Sequence, residues 1–266
     1  MDAEVMLGYG NEQVKVEIKG AQSVETILPR EMAEITDLKA AFLHAVEDGA
    51  IGSAPLREKV SPSDEVTIVV SDITRSWMHQ DKVMPLLVDY LHEKIGVPYE
   101  KMVILIALRT HRKSAPGEME KICSPDVSPE VRVGDHDCDA PDQVYVGTTS
   151  RGTNVRVNKL VVGRKVIVVG GTVHHMMAGF GGGRKNILPG VASRETIREN
   201  HCRALDPEKP MSDARVGCCK LTDNPIHEDM AEAAGLVPVA YSLNLVVASS
   251  GAHSGIFGGA LDAAWE

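Results

Sequence analysis

Nothing in the 266-residue sequence approaches the ~18 consecutive apolar residues that a membrane-spanning helix needs. The opening Met1-Asp2-Ala3-Glu4 lacks the basic region that begins a secretory signal peptide. Positive charge is in deficit: 28 Lys and Arg stand against 37 Asp and Glu, a formal net charge of −9. That balance argues against a general nucleic-acid binder and against attraction to anionic membrane surfaces. Cysteine is sparse and odd in number, five in all, with Cys218 beside Cys219 and no Cys-x-x-Cys, so no disulfide framework is expected. A reducing cytoplasm is the expected location. The adjacent pair has the chemistry to hold a soft metal, but small fillers near a loop is the preferred reading. Internal repeats, coiled coils and low-complexity tracts are also missing.

What is there alternates. The segment from Val5 to Ile18 predicts two strands around a Gly10-Asn11 turn. Residues Ile35 to Glu47 have helical periodicity. From about Lys82 to Lys94 the residues Val83, Leu86, Leu87, Tyr90 and Leu91 share one helical face. Apolar runs at Glu65–Val70, Met102–Leu108, Val131–Gly134, Val144–Val146, Val155–Val157, Val166–Val169 and Leu243–Ala248 predict strands, and Arg194–Asn200 and Ile226–Ala234 predict helices. The length suits one large domain or two small ones. Alternation of this kind predicts an α/β, Rossmann-like fold: a largely parallel sheet with helices on both faces. Ligands of such sheets lie beyond the C-terminal ends of the strands.

The most distinctive stretch runs from His174 to Ala192, directly after the strand-like Lys165–Gly170. It places imidazoles, several glycines and Lys185 in one loop. Two common nucleotide motifs are excluded. A P-loop needs Gly-Lys-Ser/Thr, but Arg184 precedes Lys185 and Asn186 follows it. The dinucleotide fingerprint needs Gly-x-Gly-x-x-Gly, but Gly179, Gly181 and Gly183 are spaced Gly-x-Gly-x-Gly. Glycines let backbone N–H groups approach an anion closely, so the N–H groups of Gly181, Gly182 and Gly183 are candidates for holding a phosphorylated cofactor beside a reactive lysine. A glycine-rich turn with no ligand is the alternative, although such a turn has no need of His and Lys.

The segment from His175 to Gly190 resembles the signature of the nickel-pincer-nucleotide lactate racemase family, roughly His-x-x-Ala-Gly-Phe/Tyr-Ser-Gly-Gly-x-Lys-x-Ile-x-Pro-Gly. Gly181 replaces the usual Ser. His174 stands where Pro is frequent and receives no role. Three further segments match in the family's order: Asp72-Ile73-Thr74-Arg75, Thr110-His111-Arg112 with Arg109 in place of the usual Gly, and Asn200-His201. The resemblance implies that residues 1–266 form the N-terminal cofactor-binding domain, and that the second domain which closes over the cofactor is missing from this sequence.

The resemblance further implies racemisation or epimerisation of a 2-hydroxy acid by hydride removal and return. The cofactor is a pyridinium mononucleotide bearing two sulfur-containing groups and nickel, made by dedicated maturation enzymes and linked through Lys185 as a thioamide. A phosphate-binding lysine is the alternative role there. His111 and His175 become the acid/base pair, since imidazole titrates near neutrality; a structural histidine at a strand end is the other reading of each. His201 becomes the nickel ligand, because a neutral imidazole nitrogen suits Ni(II). Arg75 is assigned to the substrate carboxylate or the catalytic histidine, and Asp72 with Thr74 to the cofactor; an Asp–Arg pair capping a loop is the alternative. Arg184 is expected in solvent or toward a phosphate. Arg109, beside His111, predicts a substrate larger or more polar than lactate, unless it turns away to a surface acid. Asp135, His136, Cys138 and Asp139 look metal-like but are expected in an exposed loop and stay unassigned. A non-catalytic phospho-ligand or cofactor-binding module is the competing function.

Overall fold

A computed structural model describes residues 1–10, 12–27, 30–127 and 129–266. The chain divides into two compact units, Met1–Glu31 and Met32–Glu266. In the first, strands β1 (Ala3–Tyr9) and β2 (Glu12–Ile18) pair antiparallel from Ala3↔Ile18 to Tyr9↔Glu12. This is the expected hairpin; Asn11 of its expected turn lies outside the described residues.

The second unit runs α1 (Leu38–Val46), α2 (Leu56–Lys59), β3 (Val66–Ser71), α3 (Met84–Asp89), β4 (Met102–Ala107), α4 (Glu118–Cys123), β5 (Arg132–Asp135), β6 (Val144–Thr148), β7 (Asn154–Val157), β8 (Lys165–Gly171), β9 (His174–His175), β10 (Ala178–Phe180), α5 (Arg194–His201), β11 (Gly217–Cys218), α6 (Pro225–Gly235), β12 (Val239–Val247) and β13 (His253–Gly259). Six strands form the central sheet in the order β13-β12-β8-β3-β4-β5. All neighbours are parallel except β13, which lies antiparallel on β12.

Every residue of β3 and β4 is buried, as their predominantly apolar, β-branched sequences suit strands covered on both faces. Side chains alternate across the sheet. Ile68, Val70, Ile104, Ile106, Ile167 and Val169 pack with Phe42 of α1 and Leu87 of α3. Val69, Leu105, Val166 and Val168 pack on the opposite face with Ile197 of α5 and Met230 of α6. Helices therefore cover both faces, as the sequence predicts. Side-chain caps fix the starts of α1, α5 and α6: Asp37 accepts from Ala40 N, Ser193 from Thr196 N, and Asn224 from Ile226 N and His227 N. The helix expected to Lys94 continues past α3 as a π-helical segment, Tyr90–Ile95, and stops at Gly96 with φ 87°.

The structure departs from expectation at the periphery. β6 and β7 pair with each other, outside the central sheet, and β7 adds one isolated bridge, Val157↔Ala192. β13 has no strand-like sequence, since glycine occupies three of its seven positions, Gly255, Gly258 and Gly259. At Gly258 a Cβ would lie 2.2 Å from the carbonyl oxygen of Ala45, so the close approach of α1 requires glycine there. Among the described residues no helix is long and apolar enough to cross a membrane. Because β3, β4 and β8 are parallel, the loops following them emerge at one end of the sheet.

Candidate active site

Asp72 leaves the end of β3 and is 1% exposed. Its Oδ1 accepts a hydrogen bond from Thr74 Oγ1 at 2.6 Å, and its Oδ2 pairs with His111 Nδ1 beyond the end of β4. An ionised carboxylate can only accept, so His111 Nδ1 carries the hydrogen, and Nε2 is the nitrogen left to face a ligand. The imidazole stays 38% exposed, which leaves Nε2 available to a ligand.

Arg109 sits in the turn between β4 and His111 with φ 59°, the left-handed region that glycine enters freely. Its backbone N–H donates to Gly190 O at 3.0 Å. The guanidinium does not turn out to a surface acid. It lies against Asp72, with Nη1 3.7 Å from Oδ1, and Nη1 is buried without a hydrogen-bond partner.

The loop after β8 delivers the second histidine and the lysine. Lys185 lies in a 3-10 turn, Gly183–Asn186, and is 4% exposed. Its Nζ is 3.1 Å from His175 Nε2. His175 Nδ1 accepts from Met177 N and Ala178 N at 3.2 and 3.1 Å. That nitrogen therefore holds the lone pair, and the neutral ring carries its hydrogen on Nε2, pointing at the amine. Lys185 can accept this hydrogen only as a neutral amine. Burial, followed by the charges of Arg109, Arg75 and Arg184, brings Lys185 down to about 7 from 10.5. Burial, then Lys185, brings His175 down to about 4. Both directions agree with the hydrogen-bond pattern.

The glycines of this loop serve packing more than ligand binding. Gly181 N donates to Val173 O at 2.7 Å and Gly183 N to Asn244 Oδ1 at 3.0 Å, so these two N–H groups are not left for an anion, contrary to expectation. Gly182 has φ 82°, and a Cβ there would lie 2.9 Å from Thr172 Oγ1. Arg184 is also corrected: it is 1% exposed, neither in solvent nor free for a phosphate. Its guanidinium carbon lies 3.5 Å from the ring centre of Trp265, and Nη2 donates to His227 Nδ1 at 2.6 Å. Trp265 Nε1 in turn donates to Gly181 O at 2.6 Å.

Asn186 carries a role that the sequence did not reveal. Its Nδ2 donates to Val169 O of β8 at 2.6 Å, and its Oδ1 accepts from Ser71 Oγ of β3 at 3.1 Å. The only hint was its place directly after Lys185.

His201 ends α5. Its Nδ1 donates to Ile197 O at 3.0 Å, leaving Nε2 unprotonated and free as a ligand. Burial, then the neighbouring charge of Lys185, lowers its pKa. Among the described residues no three His, Cys, Asp or Glu side chains gather as a metal site, so His201 would be a lone protein donor. Asn200 is structural: its Nδ2 donates to buried Asp229 Oδ2 at 2.8 Å. Arg75 is half-buried, and its charge bears on His175, Lys185 and Arg109.

The other metal-like cluster is not an exposed loop. His136 is 1% exposed and bonds Ala192 O through Nε2 at 2.9 Å; Cys138 is buried, Asp135 accepts from Ser114, and Asp139 pairs with Arg194. Cys218 and Cys219 are exposed and unbonded, with sulfurs 3.9 Å apart.

His111, His175, His201, Lys185, Arg75, Arg109 and Asp72 thus surround one end of the sheet, with guanidinium groups outnumbering carboxylates. In a chain of net charge −9 this is a local excess of positive charge, suited to an anionic ligand.

A family model described as the lactate racemase N-terminal domain matches residues 9–212. Over 205 residues the chain is 35% identical to a lactate racemase of Thermoanaerobacterium thermosaccharolyticum, covering 76% of this chain and 46% of that protein. Over 220 residues it is 31% identical to a lactate racemase of Lactiplantibacillus plantarum, covering 82% and 50%. The solved lactate racemase apoprotein of T. thermosaccharolyticum superposes with a TM-score of 0.80 at 28% identity, over 98% of this chain and 60% of that one. A Thermotoga maritima protein, at 22% identity and a TM-score of 0.58 over 77% and 52%, shares the fold. The chain spans about half the length of the curated relatives it matches. By sequence, fold and the order of its motifs, it belongs to the lactate racemase N-terminal domain family.

Proposed function

We propose that this chain is the cofactor-binding part of a 2-hydroxy-acid racemase or epimerase that uses a nickel-pincer nucleotide. The observation that carries the reading is Lys185: a buried amine, brought down to about 7 by burial and neighbouring cations, held 3.1 Å from His175 on the family's signature loop. A neutral amine is the form able to attack an acyl or thioacyl carbon. The other residues fit the group as well. A lone imidazole with a free Nε2 suits a metal whose remaining donors come from the cofactor. When bound, the nickel-pincer nucleotide supplies an acceptor and donor of hydride.

The chain's own residues supply the proton chemistry. His111 and His175 would serve as the acid/base pair, one for the hydroxyl of each enantiomer: a neutral ring takes the proton as hydride leaves, and its imidazolium form gives it back. Asp72 orients one ring, and the N–H groups of Met177 and Ala178 the other. Arg75 would hold the substrate carboxylate. Nothing in the five free cysteines conflicts with a reducing compartment such as the cytoplasm.

Co-production with the maturation enzymes, followed by metal analysis and peptide mapping, should find nickel and a nucleotide adduct on Lys185. Unmodified Lys185 in active protein would sink the assignment.

A further inference from the structure

Arg109 has a buried, unused donor. Its side chain is 11% exposed, Nη1 has no hydrogen-bond partner, and its nearest counter-charge, Asp72 Oδ1, is 3.7 Å away, too far for a hydrogen bond. Asp72 is moreover already engaged by Thr74 and His111. Arg109 occupies a left-handed backbone position, φ 59°, where a non-glycine residue costs about 1 kcal/mol or more. The backbone contact there, Arg109 N to Gly190 O, is one that glycine would make equally well. The turn does not explain an arginine, and its ion pair with Asp72 leaves Nη1 without a hydrogen-bond partner. A second cation, Arg75, is close enough for its charge to bear on Arg109. Arg75 Nη1 reaches Thr74 Oγ1 at 3.5 Å and is in no ion pair among the described residues, so two guanidinium groups near this site are matched by the one carboxylate of Asp72.

Resting on the racemase reading above, we infer that Arg109 makes this site select a 2-hydroxy acid with a second carboxylate, one carboxylate held by Arg75 and the other by Arg109. The guanidinium fork pairs with a carboxylate through two parallel N–H donors, which supplies the missing partner for Nη1. It lies beside His111, so the second carboxylate would sit on the His111 side of the reacting carbon. A phosphate of the bound nucleotide has the same chemistry as the second anion, and the test separates the two.

The 266-residue chain is titrated with malate, lactate and inorganic phosphate, following the arginine Nε–H and histidine ring signals by NMR, as the unmodified protein and as Arg109→Gly and Arg109→Lys. Glycine suits the backbone at this position, so the first variant keeps the fold; the second keeps the charge. Malate should bind at least ~10-fold more tightly than lactate. Arg109→Gly should remove that preference with lactate binding unchanged, and Arg109→Lys should retain part of it. Equal binding of the two acids by the unmodified chain, including none of either, overturns the inference. So does a preference that survives in Arg109→Gly. If Arg109→Gly weakens phosphate binding and leaves malate untouched, the anion is the nucleotide's phosphate and the inference is again wrong. The cofactor reading fails by a different result, an unmodified Lys185 in active protein, which these titrations do not touch.

Discussion

Replacing Lys185 by Met tests whether the amine is held neutral by its surroundings. Methionine keeps the length of the side chain and removes the charge. In the unfolded chain Lys185 holds its proton up to about 10.5, whereas the folded chain releases it near 7. Between those values the unfolded state binds more protons, so stability rises with pH. At pH 7 the penalty works out at ~4 kcal/mol, and at pH 10 at ~1 kcal/mol. Methionine removes this penalty but leaves His175 Nε2–H without its acceptor, a loss of about 1 kcal/mol. Lys185→Met should therefore be ~3 kcal/mol more stable than the parent at pH 7 and nearly equal to it at pH 10. Urea unfolding of both proteins at several pH values between 7 and 10 measures the difference, and other titrating groups cancel between them. A difference that stays constant with pH, or a variant less stable than the parent at pH 7, would refute the reasoning.

The histidines separate by role. In loaded, active enzyme His111→Ala or His175→Ala should lower turnover at least ~100-fold with nickel retained, while His201→Ala should lower the nickel content; metal lost from His175→Ala and kept in His201→Ala would exchange the assignments. Asp72→Asn should fold normally but reduce turnover by ~100-fold or more, because an amide does not fix the His111 tautomer as a carboxylate does. Turnover in Asp72→Asn within a few-fold of the parent would show that the Asp72–His111 pair is only structural.

The strands that carry the site were legible because they are covered on both faces. β3, β4 and β8 must be predominantly apolar, and β-branched runs such as Val66–Val70 say so without help from distant residues. Once parallel strands were expected, the motif residues Asp72, His111 and the loop to Lys185 fell at strand ends by the ordinary geometry of such sheets. β13 was not legible, because three glycines suppress strand propensity and only pairing with β12 and the approach of α1 compensate. The fate of the glycine N–H groups was hidden for a similar reason: Asn244, which takes the Gly183 N–H, belongs to β12, far along the chain. Arg184 was misplaced because its stacking partner, Trp265, is equally distant. Above all, spacing cannot show which ring nitrogen of His111 meets Asp72, or which of His175 meets Lys185.

Asn186 ties the turn that bears Lys185 to β3 and β8, one residue beyond the lysine. The amine's position is thereby measured from the sheet and not from the loop that precedes it. Both ends of the Asn186 amide are committed, and aspartate, the closest replacement in shape, would set a second acceptor against the Val169 carbonyl. The turn that carries Lys185 is therefore registered on two strands through a single side chain.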